Sequence, residues 1–275
     1  MEFTTFATGA EFERAVGPWL VRDRANNLIL SALSSAVRSG DGARGWLTAE
    51  QGEPQLALFH IPPRYLLLSA GSAEAVAWAV GRLDAEIPGV VGPGTLADAF
   101  AHRWAERADR LAYLNAEMTH YTLDRLEPFT RPDGLLRKAT VAEFERLAPM
   151  AAAAARDMNL PAPEQRPTET EKGLRRALAD GSQFVWANGS FICAMASYVT
   201  ALPHSGARIR GVYTPPEFRG RGFGAAVTGA LAEWLLEEGQ DWVALFADNA
   251  NAVATRIYRR LGFVPGSVFR SYRFE

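Results

Sequence analysis

The chain holds a single cysteine, Cys193, in 275 residues. That excludes an internal disulfide and any zinc site built on clustered thiolates. The four histidines, His60, His102, His120 and His204, are scattered without metal-ligand spacing, so no metal is expected. No run approaches the ~18 uncharged apolar residues of a membrane span. The start, Met1-Glu2-Phe3-Thr4-Thr5, lacks the basic region and apolar core of a secretory leader. Cytoplasmic residence with no membrane partner is the expectation. There is no basic stripe either, and a formal net charge of −2 argues against a nucleic-acid partner.

What is present is the composition of a globular protein with a real core: 48% hydrophobic and 22% charged residues. The length suits two ordinary domains or one large one. The first 133 residues carry 12 basic and 17 acidic side chains, the remainder 17 and 14. The more basic half also holds the most informative stretch, Arg219-Gly220-Arg221-Gly222-Phe223-Gly224. It lies between an apolar strand, Ile209 to Tyr213, and an amphipathic helix from about Ala225 on which Val227, Leu231, Trp234 and Leu235 share a face. Alternate glycines let successive N–H groups converge at a helix N-terminus, where orphan donors and the macrodipole favour an anion.

Three phosphate-binding patterns compete for this run. The Walker loop requires Gly-Lys-Ser/Thr, and Gly224-Ala225-Ala226 supplies neither the lysine nor the hydroxyl. The dinucleotide fingerprint fits as Gly220-x-Gly222-x-x-Ala225. Its context does not, because Thr214-Pro215-Pro216-Glu217-Phe218 separates strand from glycines and one clear βα unit remains. The acyl-CoA pyrophosphate pattern, R/Q-x-x-G-x-G/A, is met in full by Arg219-x-x-Gly222-x-Gly224.

Around the run, the spacing predicts a strand at Leu135 to Ala139 and a helix to about Met158 opened by the capping box Thr140-x-x-Glu143. Prolines 161, 163 and 167 mark a loop, and a second capping box, Thr168-x-x-Glu171, opens a helix stopping near Gly181. Strands follow at Gln183 to Ala187, Phe191 to Thr200 and Arg208 to Tyr213, with Asn188-Gly189 as a hairpin turn. After the glycine helix come strand Trp242 to Ala247, helix Ala252 to Leu261 and strand Val268 to Phe274, giving βααβββαβαβ. Cys193 and the seven tryptophans read as core or interface residues.

From about Gly134 to Glu275 the chain resembles the GNAT superfamily of N-acetyltransferases. The resemblance rests on Val212 through Gly224 and on Asn251-x-x-Ala254-x-x-x-Tyr258-x-x-x-Gly262-Phe263, two motifs in the family's order about 30 residues apart. It implies a mixed α/β (α+β) fold, a central sheet flanked by helices, and acetyl-CoA as co-substrate. The cofactor-binding set it implies is Val212, Tyr213, Thr214, Arg219, Gly220, Arg221, Gly222, Phe223, Gly224, Ala225, Asn251 and Tyr258. Within it, the Val212 N–H faces the developing oxyanion and the Tyr258 phenol protonates the departing thiolate. Arg221 also reads as a solvated surface charge, Tyr258 as a helix packing residue and Asn251 as an N-cap. The family often places a base on the central strand, but Arg208-Ile209-Arg210-Gly211-Val212 holds no acid. Asp157, Glu164, Glu169, Glu171 and His204 are on segments bordering the acceptor cleft, Glu217 is close to the phosphate loop, and a water chain is a further route for the proton.

The first half repeats the order more faintly. Ala7-Thr8-Gly9-Ala10-Glu11-Phe12-Glu13-Arg14 matches Ala139 to Arg146 at seven of eight positions. Helical segments to about Arg38 follow, then short strands at Gly45 to Thr48, Gln55 to His60 and Tyr65 to Ser69. A helix from Ala73 to Glu86, a strand at Pro88 to Val91, a helix over Thr95 to Asp109 and a strand at Glu117 to Leu126 close the half. The implied organisation is two GNAT-like units in tandem: residues 1–130, degenerate, with Ser69-Ala70-Gly71-Ser72 in place of the glycine loop, and residues 134–275, catalytic, joined near Pro128 to Gly134. The implied function is direct acetyl transfer from acetyl-CoA to an amine on a small molecule or peptide, in a monomer or homodimer with one active site per chain. The alternatives are a non-catalytic acyl-CoA-binding regulatory protein of the same fold and a dinucleotide oxidoreductase.

Overall fold

A computed structural model describes residues 1–39, 42–157, 167–200 and 206–275. The candidates Glu164 and His204, and the loop over 159–166, lie outside them. The first run of elements is β1 (Glu2–Phe6), α1 (Gly9–Leu20), α2 (Asn27–Ser39), β2 (Arg44–Glu50), β3 (Glu53–His60), β4 (Leu66–Leu68), α3 (Ala73–Val80), β5 (Gly89–Pro93), α4 (Gly94–Ala108) and β6 (Ala112–Leu123). The second is β7 (Leu135–Lys138), α5 (Phe144–Asp157), α6 (Pro167–Ala179), β8 (Gln183–Asn188), β9 (Phe191–Thr200), β10 (Ala207–Tyr213), α7 (Phe223–Glu237), β11 (Val243–Asp248), α8 (Ala252–Arg260) and β12 (Val264–Phe274). The order βααβββαβαβ therefore occurs twice, as two mixed-sheet α/β units in tandem.

The matching octapeptides have the same local physics. The Thr8 hydroxyl accepts the Glu11 N–H, and the Glu11 carboxylate accepts the Thr8 N–H, both at 3.2 Å. In the second copy Thr140 N–H donates to the Glu143 carboxylate at 2.9 Å, and a 3₁₀ turn over Val141–Glu143 precedes α5. Arg137 clamps the same carboxylate at 2.7 and 2.9 Å and, as the largest cause, holds its pKa down to about 2. The box expected at Thr168 does not start its helix. α6 begins at Pro167, whose fixed φ and missing N–H suit a first helical position, so Thr168 falls inside the first turn.

The compact units divide between His120 and Tyr121, and residues 266–275 fall in the first. The expected boundaries, 1–130 and 134–275, differ from this at both places. In the first unit the strand order is β1-β2-β3-β4-β5-β12-β6. β12 runs antiparallel to β5 with Phe269 opposite Pro93 and Arg273 opposite Gly89. Arg270 holds this strand in place, pairing with Glu117 at 2.9 Å and with Asp98. The Tyr272 hydroxyl donates to Asp98 at 2.8 Å; burial first, then this bond, pushes the phenol up to about 12. Phe12 stacks on Phe59 under α1, and Phe100, Trp104 and Phe274 pack beneath α3 and α4.

In the second unit the strand order is β11-β10-β9-β8-β7. Alternation along β8 sorts two cores. Phe184 and Trp186 join Val227, Leu231 and Leu235 of α7, while Val185 joins Leu147, Leu174 and Leu178 of α5 and α6. The β8–β9 turn is Gly189-Ser190, with Gly189 at φ +56° and Asn188 still paired to Phe191. Residues near 128–134, expected as a linker, are packed against α7. One terminal nitrogen of Arg131 reaches both carboxylate oxygens of Glu233, at 2.9 and 2.7 Å, the Asp133 carbonyl accepts the Trp186 indole N–H at 3.2 Å, and the Phe129 ring occupies the space a side chain at Gly229 would need.

His60, buried at the end of β3, donates from Nε2 to the Arg64 carbonyl at 2.9 Å, and burial lowers its pKa below 6.5. The unfolded chain then binds the proton more readily than the folded one. This contribution to stability is whole above the unfolded pKa and is lost as pH falls through the lowered folded value. Between about pH 7.5 and about pH 5.5, the urea midpoint of the wild type should fall further than that of His60→Gln; equal falls would rule this out.

Candidate functional site

The site is assembled where β10 hands over to α7. β10 and β11 are parallel, and their pairing joins Ala207 to Val243 and Arg208 to Ala244 and, among the described residues, goes no further. Beyond Arg208 the two strands part, and Gly211 takes φ +61°, a left-handed kink that a β-branched residue resists. Val212 is half-buried, Tyr213 buried and Thr214 half-buried along this stretch. Pro215 follows, then a 3₁₀ turn over Pro216–Phe218.

The glycine run completes the turn. Gly220 and Gly222 have φ +75° and +82°, and Gly222 is the N-cap of α7 with no side chain to bond the helix start. The Ala226 N–H reaches the Gly222 carbonyl at 2.9 Å. The N–H groups of Phe223, Gly224 and Ala225 come before that first helical bond, which leaves them to an external acceptor. A Cβ at Gly220 would meet nothing within 4 Å, whereas one at Gly224 would press on the Thr214 hydroxyl at 3.3 Å. Phe223 is buried in the α7 core. Arg221 is exposed, with its guanidinium 5.1 Å from the Phe223 ring centroid. Arg219 is turned another way: Nε donates to the Thr214 carbonyl at 3.0 Å and a terminal nitrogen to Asp157 at 2.8 Å.

Tyr258 faces inward from α8, 8% exposed, with its ring edge-on to Tyr121 at 6.2 Å and tilted against Phe263 at 6.0 Å. Burial pushes its pKa up to about 12, so at neutral pH the phenol keeps its proton. Its hydroxyl has no hydrogen-bond partner among the described residues. Asn251 caps α8, accepting the Ala254 N–H at 3.0 Å. Of the acids read from the sequence, Asp157 is paired with Arg219, Glu217 is exposed, and Glu169 and Glu171 are half-buried on α6. Cys193 is buried in β9, and burial raises its thiol pKa. Among the described residues no cluster of side chains could hold a metal ion, and no helix is long and apolar enough to cross a membrane. A cavity of about 380 Å³ opens beside the 3₁₀ turn, walled by Met150, Phe191, Tyr213 and Phe218 with Arg146 and Glu217. Sequence reasoning missed both this cavity and the Arg219–Asp157 pair, whose 62-residue separation leaves no periodic signal.

The matching turn of the first unit, between β4 and α3, is closed from within. The Ser72 hydroxyl accepts the Ala75 N–H at 3.1 Å, and the buried Asn26 amide accepts the Ala70 N–H at 2.8 Å. Ser69 takes the Ala57 N–H at 2.9 Å. A Cβ at Gly71 would lie 2.5 Å from the Gln55 carbonyl oxygen. The third N–H of α3, the counterpart of the Ala225 donor of α7, is capped here by the Ser72 side chain.

Residues 150–263 match the model of the acetyltransferase (GNAT) family. A mycothiol acetyltransferase from Thermobispora bispora is 45% identical over 58 residues, 21% of this chain; the match spans about a fifth (20%) of that relative's length. Among solved structures, a GNAT-family acetyltransferase from Colwellia psychrerythraea superposes with a TM-score of 0.62 at 12% identity, covering 100% of both chains. A tandem GNAT protein from the clavulanic acid biosynthesis pathway superposes with a TM-score of 0.54 at 14% identity over 98% of both. These two likenesses are of fold.

Gly222→Ala forces a Cβ into the left-handed region, a cost of about 1–2 kcal/mol. Urea denaturation should show a loss of that size; a loss under ~0.5 kcal/mol would mean the turn re-forms with a negative φ.

Proposed function

We propose, from the match of residues 150–263 to the acetyltransferase (GNAT) family model, that the chain is an acetyl-CoA-dependent N-acetyltransferase acting by direct transfer to a primary amine. The observation that carries the reading is the glycine-capped start of α7, an uncapped set of N–H donors beside two parting parallel strands. Acetyl-CoA supplies the activated acyl group. The N–H groups from Phe223 to Ala225 hold its diphosphate, Gly220 and Gly222 keep the approach clear, and Arg221 adds positive charge. The edge formed by Val212, Tyr213 and Thr214 lies along the arm, with Asn251 on its other side.

Two groups of the chain act on the reacting atoms. The Val212 N–H faces the carbonyl oxygen as charge develops there, a role worth about 3–4 kcal/mol in a water-poor site. The Tyr258 Oη, protonated at neutral pH, gives its proton to the departing thiolate. The new C–N bond replaces the C–S bond, and the amine's proton leaves through water, Asp157 being committed to Arg219. The first unit, with Ser69-Ala70-Gly71-Ser72 in place of the glycine run and Ser72 on the Ala75 N–H, binds no second acetyl-CoA. Supporting the donor, though not the acceptor, is the likeness to a mycothiol acetyltransferase.

Three measurements test this. CoA-thiol release over a panel of amines should show turnover; CoA binding without turnover on any amine would reduce the chain to an acyl-CoA-binding protein. Tyr258→Phe should lower kcat by about 10²-fold or more with little change in the KM for acetyl-CoA, and an unaffected kcat would remove the phenol from the chemistry. Calorimetric titration with CoA should saturate at one per chain, and two sites would contradict the closed first unit.

A further inference from the structure

Arg219 opens the glycine run, and its guanidinium joins three pieces of the second unit. Thr214, whose carbonyl accepts from Nε, directly follows β10; Asp157, whose carboxylate accepts from the terminal nitrogen, is the last residue of α5. The Tyr213 ring lies 5.7 Å from the same guanidinium. A planar fork bonded on two sides fixes both its own plane and the spacing of what it joins. Between these anchors and α7 the chain passes through Gly220 and Gly222, both at positive φ, where glycine leaves the free loop many other conformations.

We propose that Arg219 works as a brace rather than as a phosphate ligand, and that Asp157 is the positioning residue that holds it. Resting on the reading that the CoA diphosphate sits at the start of α7, this assigns the pair to affinity for CoA. A loop already held in its binding shape does not lose ordering entropy on association. Both partners are 52% exposed, and exposed pairs add little to folding. The brace therefore acts on ligand binding and leaves the melting temperature nearly unchanged.

Charge gives the test its sign. Asp157→Asn removes a negative charge beside an anion site and releases a cation, so on Coulomb grounds alone CoA should bind more tightly. The brace requires the opposite, CoA binding weakened by about three- to fivefold, read by calorimetry on the full chain in low salt with the melting point within ~2 °C of wild type. Arg219→Lys keeps the charge but cannot make both bonds, and should weaken CoA by a similar factor. Tighter or unchanged binding in Asp157→Asn, or wild-type affinity in Arg219→Lys, would overturn the brace while leaving the acetyltransferase reading intact. Failure of the wild-type chain to bind CoA would overturn both.

Discussion

A helix start with no side chain to satisfy it must find an acceptor elsewhere, and α7 is built that way. Its N-cap is a glycine at φ +82°, so the cap contributes conformation and no oxygen. Much of the second unit serves that arrangement. The α7 face below is committed to a largely apolar core, the segment before β7 is tied to the same helix through Arg131 and Glu233, and Arg219 binds the turn to α5. The first unit has the same succession of elements and another solution: Ser72 caps the Ala75 N–H of α3, and Asn26 takes the Ala70 N–H in the turn before it. One architecture thus carries two different cap chemistries, a glycine N-cap with no side-chain bond and a serine N-cap with one.

At the other end of the proposed site the surroundings are apolar. Tyr258 is surrounded by Tyr121, Phe263 and the apolar side of α8, and its phenol is held in the neutral form by loss of water rather than by a charged neighbour. The same withdrawal from water strengthens any dipole aimed at the reacting carbonyl.

Much of this was legible in the sequence because it is local. The Thr8 and Thr140 boxes, the β9 and β10 spans, the glycine run and the Asn251 cap depend on contacts within a few residues, and each was placed within a residue or two. Thr168 misled because Pro167, one position earlier, suits the helix start better. α3 ends at Val80 rather than near Glu86, where Gly81 closes it. What stayed hidden was long-range. Nothing in the order of residues says that Asp157 meets Arg219, that Asn26 closes a turn 44 residues away, or that residues read as a linker would lie against α7. β12 was expected to close the second unit; its hydrogen bonds to β5 and the Arg270 pairs place residues 266–275 in the first.

That last placement has a consequence for how the protein is made. On the ribosome the strand that completes the first unit emerges only after the second unit, 145 residues beyond His120, where the first unit's opening stretch ends. At roughly 5–20 residues per second this is a wait of about 7 to 30 seconds. During it, β5 stands with the edge that will receive β12 unpaired, a template for stray strands. Synthesis from the N-terminus cannot finish the units in the order in which they are encoded: the half that begins first is the half that must end last.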